Sequence, residues 1–278
     1  MRIDVAYTVD VQGAGAVQFC DQLLAGIHAL RETARPGDET VVHLLYGNLP
    51  TETARRVMLL DQPDGHQWFR IILRPIQPGD LALMQQFTKN DPKAVVRTWS
   101  GICYARLFLY KFLPEVDKVL YLDADTLVRR SPAELFEMDM GGNPMCLSMG
   151  TLYEYGYNSG VILMDLKAMR EEEGFEERLL EFMDKNSRKY HLPDQTTINE
   201  YFRGRITELG KEWNFPPEPG GHDPEMDRAA IWHFYAGTKP YKIARDDAGR
   251  ALLAWNSQLG FAENSIRPEW MRKGGSER

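Results

Sequence analysis

The sequence has little that would take the chain out of water or staple it together. No apolar run approaches the roughly 18 residues of a membrane span, and the opening MRIDVAYTVD lacks the apolar core of a signal peptide. Cysteine is scarce: Cys20, Cys103 and Cys146 are odd in number, far apart and each close to apolar residues. That excludes a disulfide framework and predicts buried, reduced thiols in a soluble cytoplasmic protein. Basic excess is missing too, since 33 Lys and Arg face 40 Asp and Glu for a net charge of -7. No broad positive surface exists for nucleic acid, so an anionic ligand must be neutralised locally by a metal or a few placed cations. Internal repeats, low-complexity tracts and linkers are likewise absent. The 278 residues therefore read as one large α/β domain, with at most a small appendage and ample chain for a core.

The amino-terminal half alternates between two periods. Residues 3–7, 41–46 and 69–73 are short apolar runs of strand length, whereas residues 17–31 place Cys20, Leu23, Leu24, Ile27 and Leu30 on one helical face and residues 51–60 read as a second helix. Strand and helix in alternation predict right-handed βαβ units and a mostly parallel sheet. VDVQGAG at residues 9–15 puts a glycine turn and Asp10 at the carboxyl end of the first strand, a natural place for a nucleotide, although GxG without GxGxxG is a weak sign. An ordinary loop aspartate is the plain alternative there.

The most informative stretch is KVLYLDADTLVRR, residues 118–130. Val119 to Leu122 would be a strand buried on both faces, and it ends at Asp123 and Asp125. If strand geometry persists, both carboxylates leave one face at the carboxyl edge of the sheet, where open α/β sheets bind ligands. Like charges so close require compensation, and a hard cation such as magnesium or manganese prefers oxygen ligands. A solvated turn with two acidic residues is the bland reading. Haloacid-dehalogenase phosphatases also carry an acidic pair after a strand, and Asp123, Asp125 and Thr126 match their DxDxT in part, with Asp123 as nucleophile and Asp246 and Asp247 as a poor distal pair. That motif usually opens its domain, whereas here more than a hundred residues precede it.

Downstream, residues 94–113 read as a helix that turns Ile102, Ala105, Phe108, Leu109 and Phe112 inward, with Arg106 beside these core positions. Ser131, Pro132 and Glu134 predict a capping box just after the acidic turn. Pro193 followed by Asp194, Gln195 and Thr196 predicts another helix start. Residues 229–232 read as a last strand, which His233 follows, with Lys239 six residues on across a glycine turn. A lone His there is usually structural; beside a DxD it becomes a plausible third metal ligand.

These blocks together resemble family 8 of the glycosyltransferases, retaining enzymes of the GT-A type such as lipopolysaccharide galactosyltransferases and glycogenins. The resemblance is carried by YARLFLYKFLPEVDKVLYLDADTLVRR (104–130), YNSGVILMDL (157–166), LPDQTTINEYF (192–202), WNFPP (213–217) and IWHFYAGTKPY (231–241), in that order. It implies an α/β GT-A fold with a Rossmann-like, mostly parallel sheet over residues 1–242. Within it, residues 1–125 would form the nucleotide-sugar half and 126–242 the acceptor half, with 243–278 as an extension. It further implies manganese or magnesium on Asp123, Asp125 and His233, with Lys239 and the Gly237 backbone near the diphosphate of a UDP-sugar. Asp10 matches the uridine position; Arg106, Asn158 and Asp194 match positions that hold the donor sugar; Gln195 matches the residue beneath the anomeric carbon. The implied activity is metal-dependent, retaining transfer of glucose or galactose from a UDP-sugar to a glycan, a lipid-linked saccharide or a glycoprotein. A non-catalytic nucleotide-sugar-binding protein is the remaining alternative to transferase and phosphatase.

The chain departs from the family pattern in places. Val11, Gln12 and Gly13 stand where an Asn-Tyr pair is usual, and Gly237 lies four rather than three residues after His233. MCLSMGTLYEYGY, residues 145–157, is shorter than the excursion of the galactosyltransferases, which implies a more open acceptor site where Tyr153, Tyr155 and Tyr157 would offer a stacking surface. In the tail, Arg267, Trp270, Arg272 and Lys273 echo a membrane-attaching segment, but Glu263, Glu269 and Glu277 dilute it, so at most weak membrane contact is expected.

Overall fold

The computed structural model describes residues 1–11, 16–61, 68–88, 100–151, 156–190, 192–217 and 224–235. The first part alternates β1 (Arg2–Val9), α1 (Ala16–Thr33), β2 (Glu39–Tyr46), α2 (Thr51–Leu60), β3 (Phe69–Pro75) and α3 (Pro78–Thr88). A 3₁₀ segment (Gly101–Phe108) and α4 (Leu109–Phe112) lead to β4 (Lys118–Leu122), β5 (Thr126–Val128), α5 (Ala133–Phe136), β6 (Met145–Met149) and β7 (Tyr157–Asp165). Then follow α6 (Leu166–Glu171), α7 (Phe175–Asn186), α8 (Pro193–Tyr201), β8 (Ile206–Leu209), α9 (Pro224–Arg228) and β9 (Ile231–His233).

Seven strands form one sheet in the order β3-β2-β1-β4-β7-β6-β8, while β5 and β9 pair separately. The pairs β1–β2, β2–β3, β1–β4 and β6–β8 are parallel, and β7 runs antiparallel to both β4 and β6. Alternate side chains enter two cores. Tyr7, Leu120, Leu122 and Val161 pack on one face with Leu24 and Ile27 of α1 and Val57 of α2. Ala6, Val119, Tyr121 and Ile162 pack on the other with Met84 of α3, Leu179 of α7 and Ile198 of α8. Burial on both faces is why the central strands read as unbroken apolar runs. The three cysteines are buried and free. Among the described residues no helix is long and apolar enough to cross a membrane.

Three local expectations change. Residues 101–108 form a 3₁₀ segment rather than the middle of an α-helix; only Leu109–Phe112 is α-helical, and residues 94–99 lie outside the described set. Gly101 lies against the backbone of α3, where an added Cβ would fall 2.6 Å from the Gln85 amide nitrogen. Cys103 to Phe108 are all buried, so the segment has no solvent face on which a regular amphipathic helix would depend. The capping box is also not formed. Residues 126–128 are drawn into β5 by pairing with β9, the short α5 is capped at Pro132, and Glu134 is exposed without returning to the cap. Finally, strand geometry does not persist through the acidic pair. Residues 123–126 form a turn closed by a hydrogen bond from Thr126 N to Asp123 O at 3.1 Å.

Candidate active site

The acidic turn is fixed from three sides. Asp123 N donates to Gly160 O at 2.8 Å, Thr126 Oγ1 donates to Asp123 O at 2.7 Å, and Phe234 N donates to Asp125 O at 3.0 Å. In the small sheet Thr126 lies opposite His233. The chain thus brings together residues more than a hundred positions apart: His233 Nε2 stands 3.2 Å from Asp125 Oδ1 and 3.6 Å from Asp123 Oδ2. One ligand atom from each residue lies within 4.8 Å of the other two.

Asp123 uses its two oxygens differently. Oδ1 accepts from the Tyr121 hydroxyl at 2.7 Å and pairs with Arg106 Nη2 at 2.9 Å, whereas Oδ2 faces His233. Burial pushes the Tyr121 phenol far above its usual range, so it stays a donor. Arg106 is buried, lies over the Tyr121 ring at 4.5 Å, and joins Asp123 to Asp194, whose Oδ2 is 3.2 Å from Nη1. Nη1 also donates to Ser159 O at 2.6 Å and Nε to Cys103 O at 3.0 Å. Burial opposes the Arg106 charge, but the two carboxylates outweigh it and hold the guanidinium above its usual range. Burial pushes the Asp194 carboxyl up, against the pull of Arg106. Its Oδ2 accepts from Ser159 Oγ at 3.0 Å.

Asp194 and Gln195 occupy the first turn of α8, which starts with Pro193 as expected. Gln195 Oε1 accepts from Asn158 Nδ2 at 3.2 Å and lies 3.4 Å from Ser159 N. Asn199, one turn along, anchors α8 to the start of β7: its amide accepts from Tyr157 N and donates to Tyr157 O, both at 2.8 Å. At the neighbouring strand end, Asp10 Oδ1 accepts from Asn48 N at 3.0 Å and Oδ2 accepts from the Ser100 hydroxyl. Asp123, Asp125, His233, Arg106, Asn158, Asp194 and Gln195 therefore form one connected site, and Asp10 stands at the same carboxyl edge, beyond β1. Gly237, Lys239, Tyr153, Tyr155 and the tail lie outside the described residues.

The residues present fit a divalent cation. Two carboxylates and an imidazole are a common hard-to-borderline donor set. His233 Nε2 is buried and makes no well-aligned hydrogen bond, although Asp125 Oδ1 stands 3.2 Å away, and a cation between the imidazole and the carboxylates would satisfy all three groups. Sequence reasoning missed several residues that build this geometry. In the sequence Tyr121 is one residue of an apolar strand, and Ser159, Gly160, Asn199 and Asn214 do not stand out from the blocks that contain them. Gly160 did leave a signal, being a glycine inside an otherwise buried strand. An added Cβ there would lie 1.9 Å from His233 Cε1, so the imidazole rests directly on the β7 backbone.

The family model "Glycosyl transferase family 8" matches residues 61–243. This chain belongs to glycosyl transferase family 8. It is 30% identical over 244 residues to Glycosyltransferase GlyE of Streptococcus pneumoniae, covering 78% of this chain and 57% of that protein. A lipopolysaccharide 1,2-glucosyltransferase of Escherichia coli is 31% identical over 134 residues, 42% of this chain and 39% of that one. The chain spans about half the length of the curated relatives it matches. Among solved structures, the galactosyltransferase LgtC in complex with donor and acceptor sugar analogs superposes with a TM-score of 0.72 at 24% identity, covering 98% of this chain and 100% of that one. The fold is that of the GT-A glycosyltransferases.

Proposed function

We propose that this family 8 member is a retaining hexosyltransferase. It would move glucose or galactose from a UDP-sugar to a glycan, a lipid-linked saccharide or a glycoprotein, with manganese or magnesium on Asp123, Asp125 and His233. The observation that carries this reading is the convergence of two carboxylate oxygens on the buried, unbonded Nε2 of His233. A glucosyltransferase and a galactosyltransferase among its relatives support a hexose donor.

The cation, when bound, would supply Lewis acidity to the departing diphosphate. The chain's own residues have separate tasks. Tyr121 and Arg106 hold Asp123 Oδ1, so Oδ2 is presented toward His233 without a search through rotamers. Arg106 offsets Asp123 and Asp194, which keeps this acidic pocket from repelling an anionic donor. Asn158 donates to Gln195 Oε1 and so orients the Gln195 amide, whose side chain would lie beneath the anomeric carbon. Asp194 would hold the donor sugar, and Lys239 would add positive charge near the leaving diphosphate. The phosphatase alternative falls with the family assignment; its nucleophile would also be an Asp123 already engaged by Arg106 and Tyr121.

Calorimetric titration of UDP with and without manganese, on the parent and on Asp125→Ala, tests the proposal. Binding that requires both the metal and Asp125, followed by slow hydrolysis of UDP-glucose or UDP-galactose, is the expected result. Metal-independent binding, or none, would overturn it. Metal-dependent binding without turnover of either donor in the presence of any glycan acceptor would instead favour a nucleotide-sugar-binding protein.

A further inference from the structure

The amides beneath His233 form a chain whose direction is set by a single backbone group. Gly160 N–H can only donate, and it donates to Asn158 Oδ1 at 3.0 Å. The Asn158 amide is thereby oriented, with its nitrogen turned to Gln195 Oε1 at 3.2 Å. An amide oxygen can only accept, so the Asn214 atom 3.0 Å from Asn158 Oδ1 is Nδ2. That turns Asn214 Oδ1 toward His233 Nδ1, at 2.9 Å. Acceptor meets acceptor there unless Nδ1 carries the proton. In an imidazole with one N–H, the lone pair then belongs to Nε2, the atom that faces Asp123 and Asp125.

The opposite tautomer would fail at the Asn214 end, where the Nδ1 lone pair would face the Asn214 oxygen at 2.9 Å. Its Nε2–H would point at Asp125 Oδ1, 3.2 Å away, and would have to leave before a cation could bind there. Asn158, Asn214 and His233 are all buried, so water does not relieve a mismatch cheaply. Gly160 serves twice, since its N–H starts the chain and its missing Cβ makes room for the imidazole.

We propose that Asn214 is a positioning residue that locks His233 as the Nδ1–H tautomer, keeping Nε2 open for a divalent cation. Through Asn158, the same hydrogen-bond chain ties the imidazole to the Gln195 amide. The role toward a cation rests on the proposed function above; the tautomer does not.

The test uses the whole protein labelled with nitrogen-15 in histidine, metal-free and at alkaline pH, where imidazoles carry one proton. Long-range proton–nitrogen spectra then report which His233 nitrogen is protonated. In the parent, Nδ1–H is expected. Asn214→Asp keeps an acceptor facing Nδ1 and is expected to retain that tautomer. Asn214→Leu, similar in size but without an acceptor, is expected to release the ring toward Nε2–H and to weaken manganese binding by at least about tenfold, as loss of an orienting partner does at other metal sites. Asn214→Ala gives the same comparison if the leucine variant does not fold. Nε2–H in the parent would overturn the proposal whatever the variants do. So would Nδ1–H with unchanged manganese affinity in a folded Asn214→Leu or Asn214→Ala. A parent that shows Nδ1–H but binds no manganese would overturn the cation reading, while its tautomer would still support the role of Asn214.

Discussion

Gly160, with no side chain, bears on three parts of the site at once. Its carbonyl holds the Asp123 amide, its N–H orients Asn158, and the space above its Cα holds the His233 ring. A methyl group would share that space with Cε1 at 1.9 Å, and the ring is walled in by buried neighbours. Gly160→Ala is therefore expected to displace the imidazole, to lower stability by about 1–3 kcal/mol as overpacking does, and to abolish manganese binding. Gly79, at the start of α3, meets nothing within 4 Å of an added Cβ, so Gly79→Ala is expected to leave both properties intact. Thermal unfolding and manganese titration of the two variants check this. A Gly160→Ala protein with parental metal affinity would show that His233 does not depend on that contact.

At the scale of elements, the parallel strands are joined by polar groups as well as by their apolar faces. Asp4 on β1 accepts from His43 Nε2 on β2 at 2.8 Å, and Arg74 Nε on β3 donates to His43 Nδ1 at 3.0 Å. Arg2 adds a second donor to Asp4 at 2.9 Å. Burial alone would raise the Asp4 carboxyl, but the hydrogen bonds from His43 and Arg2 outweigh it and hold it below its ordinary value near 3.8. The unfolded chain then takes up this proton first as pH falls. The stabilisation is therefore present above the ordinary value and is lost on acidification through the folded one. Parent and Asp4→Asn are expected to differ most in melting temperature near neutrality and to converge on acidification below the ordinary carboxyl value near 3.8, as the carboxyl is neutralised. A constant gap on that acidification would show that the Asp4 charge does not contribute.

The same scale explains what could be read in advance. β1 to β4, α1 and α2 were legible because each carries its own periodicity, unbroken where both faces are buried and one-sided where one face is. β5 is three residues, and its extended form comes from pairing with β9 rather than from a pattern of its own, whereas the apolar run at 229–232 announces β9, which spans Ile231–His233. In α3 only Met84 and Phe87 are buried, too short a stripe to announce a helix. Charged and catalytic residue types were conspicuous in the site, so Asp123, Asp125, His233, Arg106, Asp194 and Gln195 could be named from their blocks. Asn214 and Ser159 could not, because their meaning lies in partners 19 to 56 residues away.

For the whole molecule, the decisive feature is where the sheet changes direction. β3, β2, β1 and β4 run parallel, and β7 then runs back, so the carboxyl ends of the first four strands share an edge with the start of β7. Asp123 and Gly160 meet there, Asp123 N donating to Gly160 O at 2.8 Å. The β5–β9 pair closes the edge from outside the main sheet and, with the Phe234 N–H donated to Asp125 O at 3.0 Å, carries His233 to the acidic turn: β5 holds β9 on one side and the Phe215 backbone holds it on the other. Opening that small sheet would separate the three candidate ligands without disturbing β2 or β3. A cation and UDP bound across them would oppose such an opening by RT ln(1 + [L]/Kd), about 2.7 kcal/mol at a hundredfold excess over Kd, which is a roughly hundredfold slowing of exchange. Hydrogen exchange with manganese and UDP is accordingly expected to protect the amides of Thr126–Val128 and Ile231–His233, to leave β3 unchanged, and to show no such protection in Asp125→Ala. Protection spread evenly over the main sheet would mean that the ligands report on global stability, and that the β5–β9 pair is not the element that opens and closes the site.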